Sequence, residues 1–175
     1  MNTLQEKLER GEIVVLDGAT GTELERRGVP MHSVAWSAAA LETHPDLVRQ
    51  VHEDYIRSGA DIIIANTFAT ARHVLERAGM ENMVRDLNTR AIALALEARD
   101  ATSGDRAVYI AGSISTAFMP SLSSGSALSE AQARANFRDQ AETLAEAGVD
   151  LIMLEMMTDM ERSAYAIEGA VSAGL

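Results

Sequence analysis

A chain of 175 residues with 47% hydrophobic content is sized for one domain and can fill a core, which sets aside a disordered segment. Its 26 acidic against 15 basic residues give a net charge of −11, which disfavours a nucleic-acid partner. It contains no cysteine, so neither a disulfide nor a thiolate metal site can form within it.

In chain order, the opening MNTLQEKLERGE is polar and amphipathic without the apolar stretch of a secretion signal. No run of about 18 apolar residues follows it, so the chain reads as cytoplasmic, with no membrane partner. The first apolar run is Ile13 to Leu16, and three more follow: Ile62 to Ala65, Val108 to Ala111, and Leu151 to Leu154. They are continuous rather than alternating, which predicts parallel strands covered on both faces.

Helical patterns separate the runs. From Pro45, the residues Leu47, Val48, Val51 and Tyr55 recur at helical spacing, with the proline in the first turn and Gly59 as a stop. A long stretch from about Glu81 to Asp100 is rich in Ala and Leu. Ser129 with Gln132 predicts a capping box, followed by an apolar stripe through Ala133, Phe137, Ala141 and Leu144 to Gly148. Thr158 with Glu161 predicts a second box, and its helix runs to about Gly174. The segment from Gly59 to Asn66 resembles that from Gly148 to Glu155, each passing from helix stop through an acidic turn into a strand.

This alternation is the grammar of a parallel α/β fold, whose sites lie at the carboxyl ends of the strands. Asp17, Asn66, Ser113 and Glu155 are expected there on one face. Asp17 and Glu155 form a pair of partly desolvated carboxylates, suited either to general acid/base work or to capture of an ammonium group. The turn Asp17-Gly18-Ala19-Thr20-Gly21-Thr22 allows close approach of a ligand, but it matches neither GxGxxG nor GxxxxGK[ST]. The Ser-rich segment 115–128 reads as a lid or an ordinary surface loop, and Trp36 as packing. Lys7, the only lysine, precedes every strand, which argues against Schiff-base chemistry. His32, His44, His52 and His73 lack metal-ligand spacing and read as structural or surface residues.

The segments LERGEIVVLDGATGTELERRG, HPDLVRQVHEDYIRSGADIIIANTF, AGSI and DLIMLEMM, in this order, resemble the zinc-dependent homocysteine S-methyltransferase family. That family includes the betaine-homocysteine and S-methylmethionine enzymes and the homocysteine module of cobalamin-dependent methionine synthase. The resemblance implies that residues 1–175 are the N-terminal half, four βα units, of a (β/α)₈ TIM barrel whose remaining half is absent. It implies methyl transfer from a donor to the thiol of homocysteine, giving methionine. It places Asp17, Gly18, Asn66, Thr67, Phe68, Ser113 and Glu155 in the homocysteine pocket, with Glu155 on the amino group.

The family's zinc is held by three cysteines, one after strand six and an adjacent pair after strand eight, positions that would lie beyond Leu175. No zinc is therefore expected to bind this chain alone, and the chain alone is expected to be inactive. Ser115-Thr116 stands where the family usually has Gly-Pro. Two other readings stay open: a barrel glycosidase fragment with Glu155 as its acid, and a non-catalytic half-barrel that associates through its exposed edges with itself or a partner.

Overall fold

The computed structural model describes residues 3–117, 119 and 128–175. Most of the segment read as a lid therefore lies outside the described residues. Three parallel strands, β1 (Ile62–Ile64), β2 (Tyr109–Ser115) and β3 (Leu151–Glu155), form a sheet in the order β1-β2-β3. Eight helices are described with them: α1 (Leu4–Glu9), α2 (Thr20–Arg26), α3 (Ala40–Thr43), α4 (Pro45–Arg57), α5 (Arg72–Arg77), α6 (Val84–Thr102), α7 (Glu130–Ala147) and α8 (Met160–Ser172).

The first apolar run departs from expectation. Ile13 to Leu16 forms no regular strand; Leu16 makes a single parallel bridge to Ile62, on the side of β1 away from β2. Chain order and spatial order still agree. The physical reason is lack of cover: Ile13 is 87% exposed, and Val15 and Leu16 are each 46% exposed. β3 is likewise only half-buried along its length, so burial on both faces holds for β1 and β2 but not for the outer segments.

Helix ends follow local chemistry. The Ser129–Gln132 box caps α7, and Gly148 ends that helix at φ 96°, a left-handed conformation that an L side chain resists. At α8 the cap is one residue later than expected. Asp159, not Thr158, accepts the Arg162 N–H at 2.8 Å, because a carboxylate is a strong acceptor for that orphan donor. Thr158 instead donates its N–H to Thr116 Oγ1 at 3.0 Å. The core lies between sheet and helices, around Ile63, Leu75, Ile92, Ile110, Phe137 and Leu144, all at most 1% exposed.

The sequence repeat is a structural repeat in register. Leu16 pairs with Ile62 as Ala111 pairs with Leu151. Asp61 Oδ2 accepts the Val15 N–H at 3.0 Å, and Asp150 Oδ2 accepts the Ile110 N–H at 2.7 Å. Each aspartate also donates its own N–H to the carbonyl of that same residue, at 2.7 and 2.8 Å. One carboxylate per pair of strands thus fixes the offset of each second strand on its first, where a one-residue slip would reverse every side chain.

Candidate substrate site at the carboxyl ends of the strands

A cavity of about 240 Å³ opens above the carboxyl ends, lined by the Gly18-to-Gly21 turn, Trp36, Ser37, Asn66, Phe68 and Glu155 among others. A second, of about 650 Å³, adjoins it across Trp36, Phe68 and Met156, which line both, and is bounded further out by His32, Thr116 and Thr158. Polar groups from the segment after the Leu16 bridge and from each of the three strands therefore gather on one side, with Ser113 two residues inside the end of β2 rather than at it.

Two carboxylates set the electrostatics. Asp17 Oδ2 accepts the Ile64 N–H at 2.9 Å, while Oδ1 is buried with no hydrogen-bond partner among the described residues. Burial pushes the Asp17 carboxyl up to about 7; the Ile64 N–H opposes the rise and the nearby Glu155 carboxylate adds to it. Glu155 accepts a hydrogen bond from Ser113 Oγ. Ser113 is in turn clamped by Thr67, whose Oγ1 accepts the Ser113 N–H at 2.8 Å and donates to the Ser113 carbonyl at 2.9 Å. Thr67 is fully buried, so Thr67→Val strands both Ser113 groups without a partner. We expect that variant to lose about 1–3 kcal/mol in a urea titration; an unchanged midpoint would contradict the clamp.

Asp17 also gives a signed pH dependence. An unfolded aspartate ionises near 3.8, whereas folded Asp17 holds its proton to about 7. Between these values the folded state binds the extra proton, so this residue's contribution to stability falls as pH rises through the window. Asp17→Asn keeps the acceptor for Ile64 and removes the charge. It should raise stability at pH 8 by about 1–2 kcal/mol, after discounting for solvent screening. The gain should vanish near pH 4, and an equal gain at both pH values would show that ionisation is not the cause.

The other expected residues act through neighbours. Asn66 is buried; its Oδ1 accepts from Ser37 Oγ at 2.7 Å and its Nδ2 donates to the Ser37 carbonyl at 2.9 Å, which ties the Trp36 turn to β1. Phe68 meets Trp36 edge to face, with ring centroids 6.0 Å apart. Gly18 leaves room for Tyr55: a Cβ there would stand 2.7 Å from Tyr55 Oη, so that ring would have to shift. At Gly21 a Cβ would stand 2.6 Å from the Trp36 ring.

Sequence reasoning assigned Trp36 to packing, and it also lines both cavities. Trp36 and Met156 are the non-glycine residues described with left-handed φ, at 44° and 48°. Such backbone costs on the order of 1–3 kcal/mol each and persists where surroundings enforce it. For Met156 the enforcement is visible, since Thr116 Oγ1 donates to the Met156 carbonyl at 3.0 Å and accepts the Thr158 N–H. A proline at position 116 would have no such hydroxyl.

The donor set does not fit the zinc site that the resemblance implies. The chain has no cysteine, and no cluster of three or more His, Cys, Asp or Glu able to hold a metal occurs among the described residues. His52 and His73 lie buried in α4 and α5, where burial lowers each imidazole to about 4. None of the described helices is long and apolar enough to cross a membrane.

A helix-covered parallel sheet with two carboxylates on its carboxyl-end side places the chain in the α/β class. The profile described as "Homocysteine S-methyltransferase" matches residues 14–173, and the chain belongs to that family. Homocysteine S-methyltransferase 4 of Zea mays is 33% identical over 176 residues, covering 90% of this chain and 52% of the relative. Homocysteine S-methyltransferase of Escherichia coli (strain K12) is 33% identical over 167 residues, covering 89% and 54%. The crystal structure of the homocysteine methyltransferase MmuM from Escherichia coli, metallated form, superposes with a TM-score of 0.84 at 29% identity, covering 99% of this chain and 64% of that one. The chain spans about half the length of these curated relatives. Family membership displaces the glycosidase reading.

Proposed function

We propose that this chain is the first half of a (β/α)₈ barrel that, once completed, transfers a methyl group from a donor to the thiol of homocysteine. The observation that carries this reading is the meeting of Asp17 and Glu155 beside a 240 Å³ cavity, with Asp17 Oδ1 buried and unpartnered among the described residues. A substrate ammonium supplies the missing charge. As it enters, it favours loss of the Asp17 proton, and the two carboxylates then share one cation.

Gly18 and Gly21 keep the floor open, Ser113 orients Glu155, and Asn66 holds the Trp36 turn that walls the cavity. These residues bind and orient the amino-acid end. The reaction itself forms a sulfur–carbon bond as the donor–methyl bond breaks, with loss of the thiol proton, and positioning supplies much of its rate. In this reading both carboxylates are engaged with the amino group, so drawing the proton from a thiol of pKa about 8.5 falls to other residues. We assign that task to the second half, where the family resemblance places zinc. Homocysteine and a methyl donor are the partners in this reading, in the cytoplasm, with neither membrane nor nucleic acid.

The test is to join this chain to the second half of a relative, load the product with zinc, and follow methionine formation by mass spectrometry. Turnover is expected. A folded, zinc-loaded protein that makes no methionine with S-methylmethionine, betaine or a methylfolate would overturn the proposal.

A further inference from the structure

β1 leaves the sheet where the candidate site begins. Ala65 N–H still donates to the Ala111 carbonyl at 2.9 Å, but Thr67 N–H turns back to the Ala65 carbonyl at 2.6 Å. One more step of a parallel ladder would pair the N–H and the carbonyl of Ser113 with backbone groups at Ala65 and Thr67. Both go instead to the Thr67 hydroxyl, which accepts the first at 2.8 Å and donates to the second at 2.9 Å. A side chain thus stands in for the ladder at the residue whose Oγ holds Glu155. Where Thr67 sits decides where Ser113 and Glu155 sit.

Thr67 is itself held from two helices. Its carbonyl accepts the Thr70 N–H at 3.2 Å, lies 2.9 Å from Thr70 Oγ1, and accepts from Nε2 of Gln140, on α7, at 3.3 Å. Asn88, on α6, donates from Nδ2 to the Thr70 carbonyl at 3.0 Å and to the Val84 carbonyl at 2.7 Å, which fixes the orientation of its amide. Asn88 Oδ1 then stands 2.7 Å from Thr70 Oγ1 and 3.4 Å from Gln140 Nε2. The one proton of the Thr70 hydroxyl serves either the Thr67 carbonyl or Asn88 Oδ1.

Thr67, Thr70, Asn88, Ser113 and Gln140 are all buried, so a group that loses its partner here has no bulk water to turn to. Gln140 Oε1 already lacks a partner among the described residues. A buried amide in that state costs free energy that an apolar side chain of similar volume would not. What the glutamine contributes is therefore its Nε2 donor. Neither Asn88 nor Gln140 lines either cavity, whereas Ala65, Asn66 and Phe68, which flank Thr67, line the first.

We infer that Asn88 and Gln140 are positioning residues for the substrate ammonium: through the Thr67 turn they fix Ser113, and through Ser113 they aim the Glu155 carboxylate into the cavity. The inference rests on the ammonium role given to Glu155 above. Three elements of the core thereby converge on one carboxylate oxygen. Loss of a donor on α7 loosens the Thr67 carbonyl, and the displacement passes to Glu155 by way of buried hydrogen bonds that have no alternative partners.

The experiment uses the joined protein, with homocysteine and zinc affinities measured by calorimetry. Gln140→Met keeps the core filled and removes the Nε2 donor; it should weaken homocysteine binding about tenfold and leave zinc affinity unchanged. Thr70→Val, which removes the hydroxyl shared by the Thr67 carbonyl and Asn88, should act in the same direction, and Thr70→Ser should restore binding. The decisive comparison is with Glu155→Gln. Once the charge at 155 is gone, aiming it has no value, and Gln140→Met should then cost less than about twofold. Circular dichroism checks the fold of each variant, and if Gln140→Met is unfolded the Thr70 pair carries the same comparison. The same factor in both backgrounds, a parallel loss of zinc affinity, or no loss with either Gln140→Met or Thr70→Val while Glu155→Gln weakens binding, would overturn the inference. A Glu155→Gln variant that binds homocysteine as tightly as its parent instead removes the ammonium reading, and the inference with it, so the two failures are told apart.

Discussion

The isolated 175-residue chain should produce no methionine above background, and joining it to the second half of a relative should raise turnover by several orders of magnitude. Softer metals require thiolate or imidazole ligands in a closed set, and this chain has no cysteine and only four histidines, of which two are buried in helices. A free thiol of pKa about 8.5 remains mostly protonated at neutral pH, and nothing described here would orient its sulfur. Folding of this chain is therefore expected to be insufficient for chemistry. A zinc titration should show no stoichiometric tight binding to the isolated chain, and metal binding should return together with turnover when the second half is added. Turnover by the folded chain alone, or tight zinc without the second half, would mean the chemistry has been misplaced.

The second large effect concerns Glu155. In the joined protein, Glu155→Gln should weaken homocysteine binding about 30-fold, because removing one member of a half-buried, hydrogen-bonded charge pair costs about 2 kcal/mol. Glutamine retains an acceptor for Ser113 Oγ, so the loss reports charge rather than shape. Zinc affinity should be nearly unchanged. Calorimetry with each ligand separates the two, and equal losses for both, or none for homocysteine, would remove the ammonium role.

Much of the fold was legible because the repeat 59–66 and 148–155 encodes strand, acidic turn and helix stop together. Asp61 and Asp150, matched in the sequence as acidic turns, also make matched bonds to the Val15 and Ile110 amides, a role that the sequence did not reveal. The Ser129 box was readable because its reciprocal bonds are local. What failed was non-local. Ile13 to Leu16 has the composition of a buried strand, yet it makes only the Leu16 bridge and its apolar side chains stay exposed, which composition alone does not reveal. The cap of α8 slipped to Asp159 because Thr158 is engaged by Thr116, 42 residues away in sequence.

The site divides in the same way. Asn66 and Glu155 could be placed from strand ends alone, whereas Asp17 follows an isolated bridge and Ser113 lies two residues inside the end of β2. The Thr67 clamp, the Ser37–Asn66 tie and the double role of Trp36 could not, since each is a contact across elements. The single tryptophan, in the stretch that follows the Gly-rich turn, was the available signal for the last of these.

The central claim is that Asp17 and Glu155 together hold the substrate ammonium. A crystal structure of the joined protein with homocysteine bound tests it directly. The account predicts the amino nitrogen within roughly 2.7–3.2 Å of an oxygen of each carboxylate, with Asp17 Oδ1 no longer unpartnered. An amino group pointing away from both carboxylates, or bound by residues of the second half alone, would contradict it.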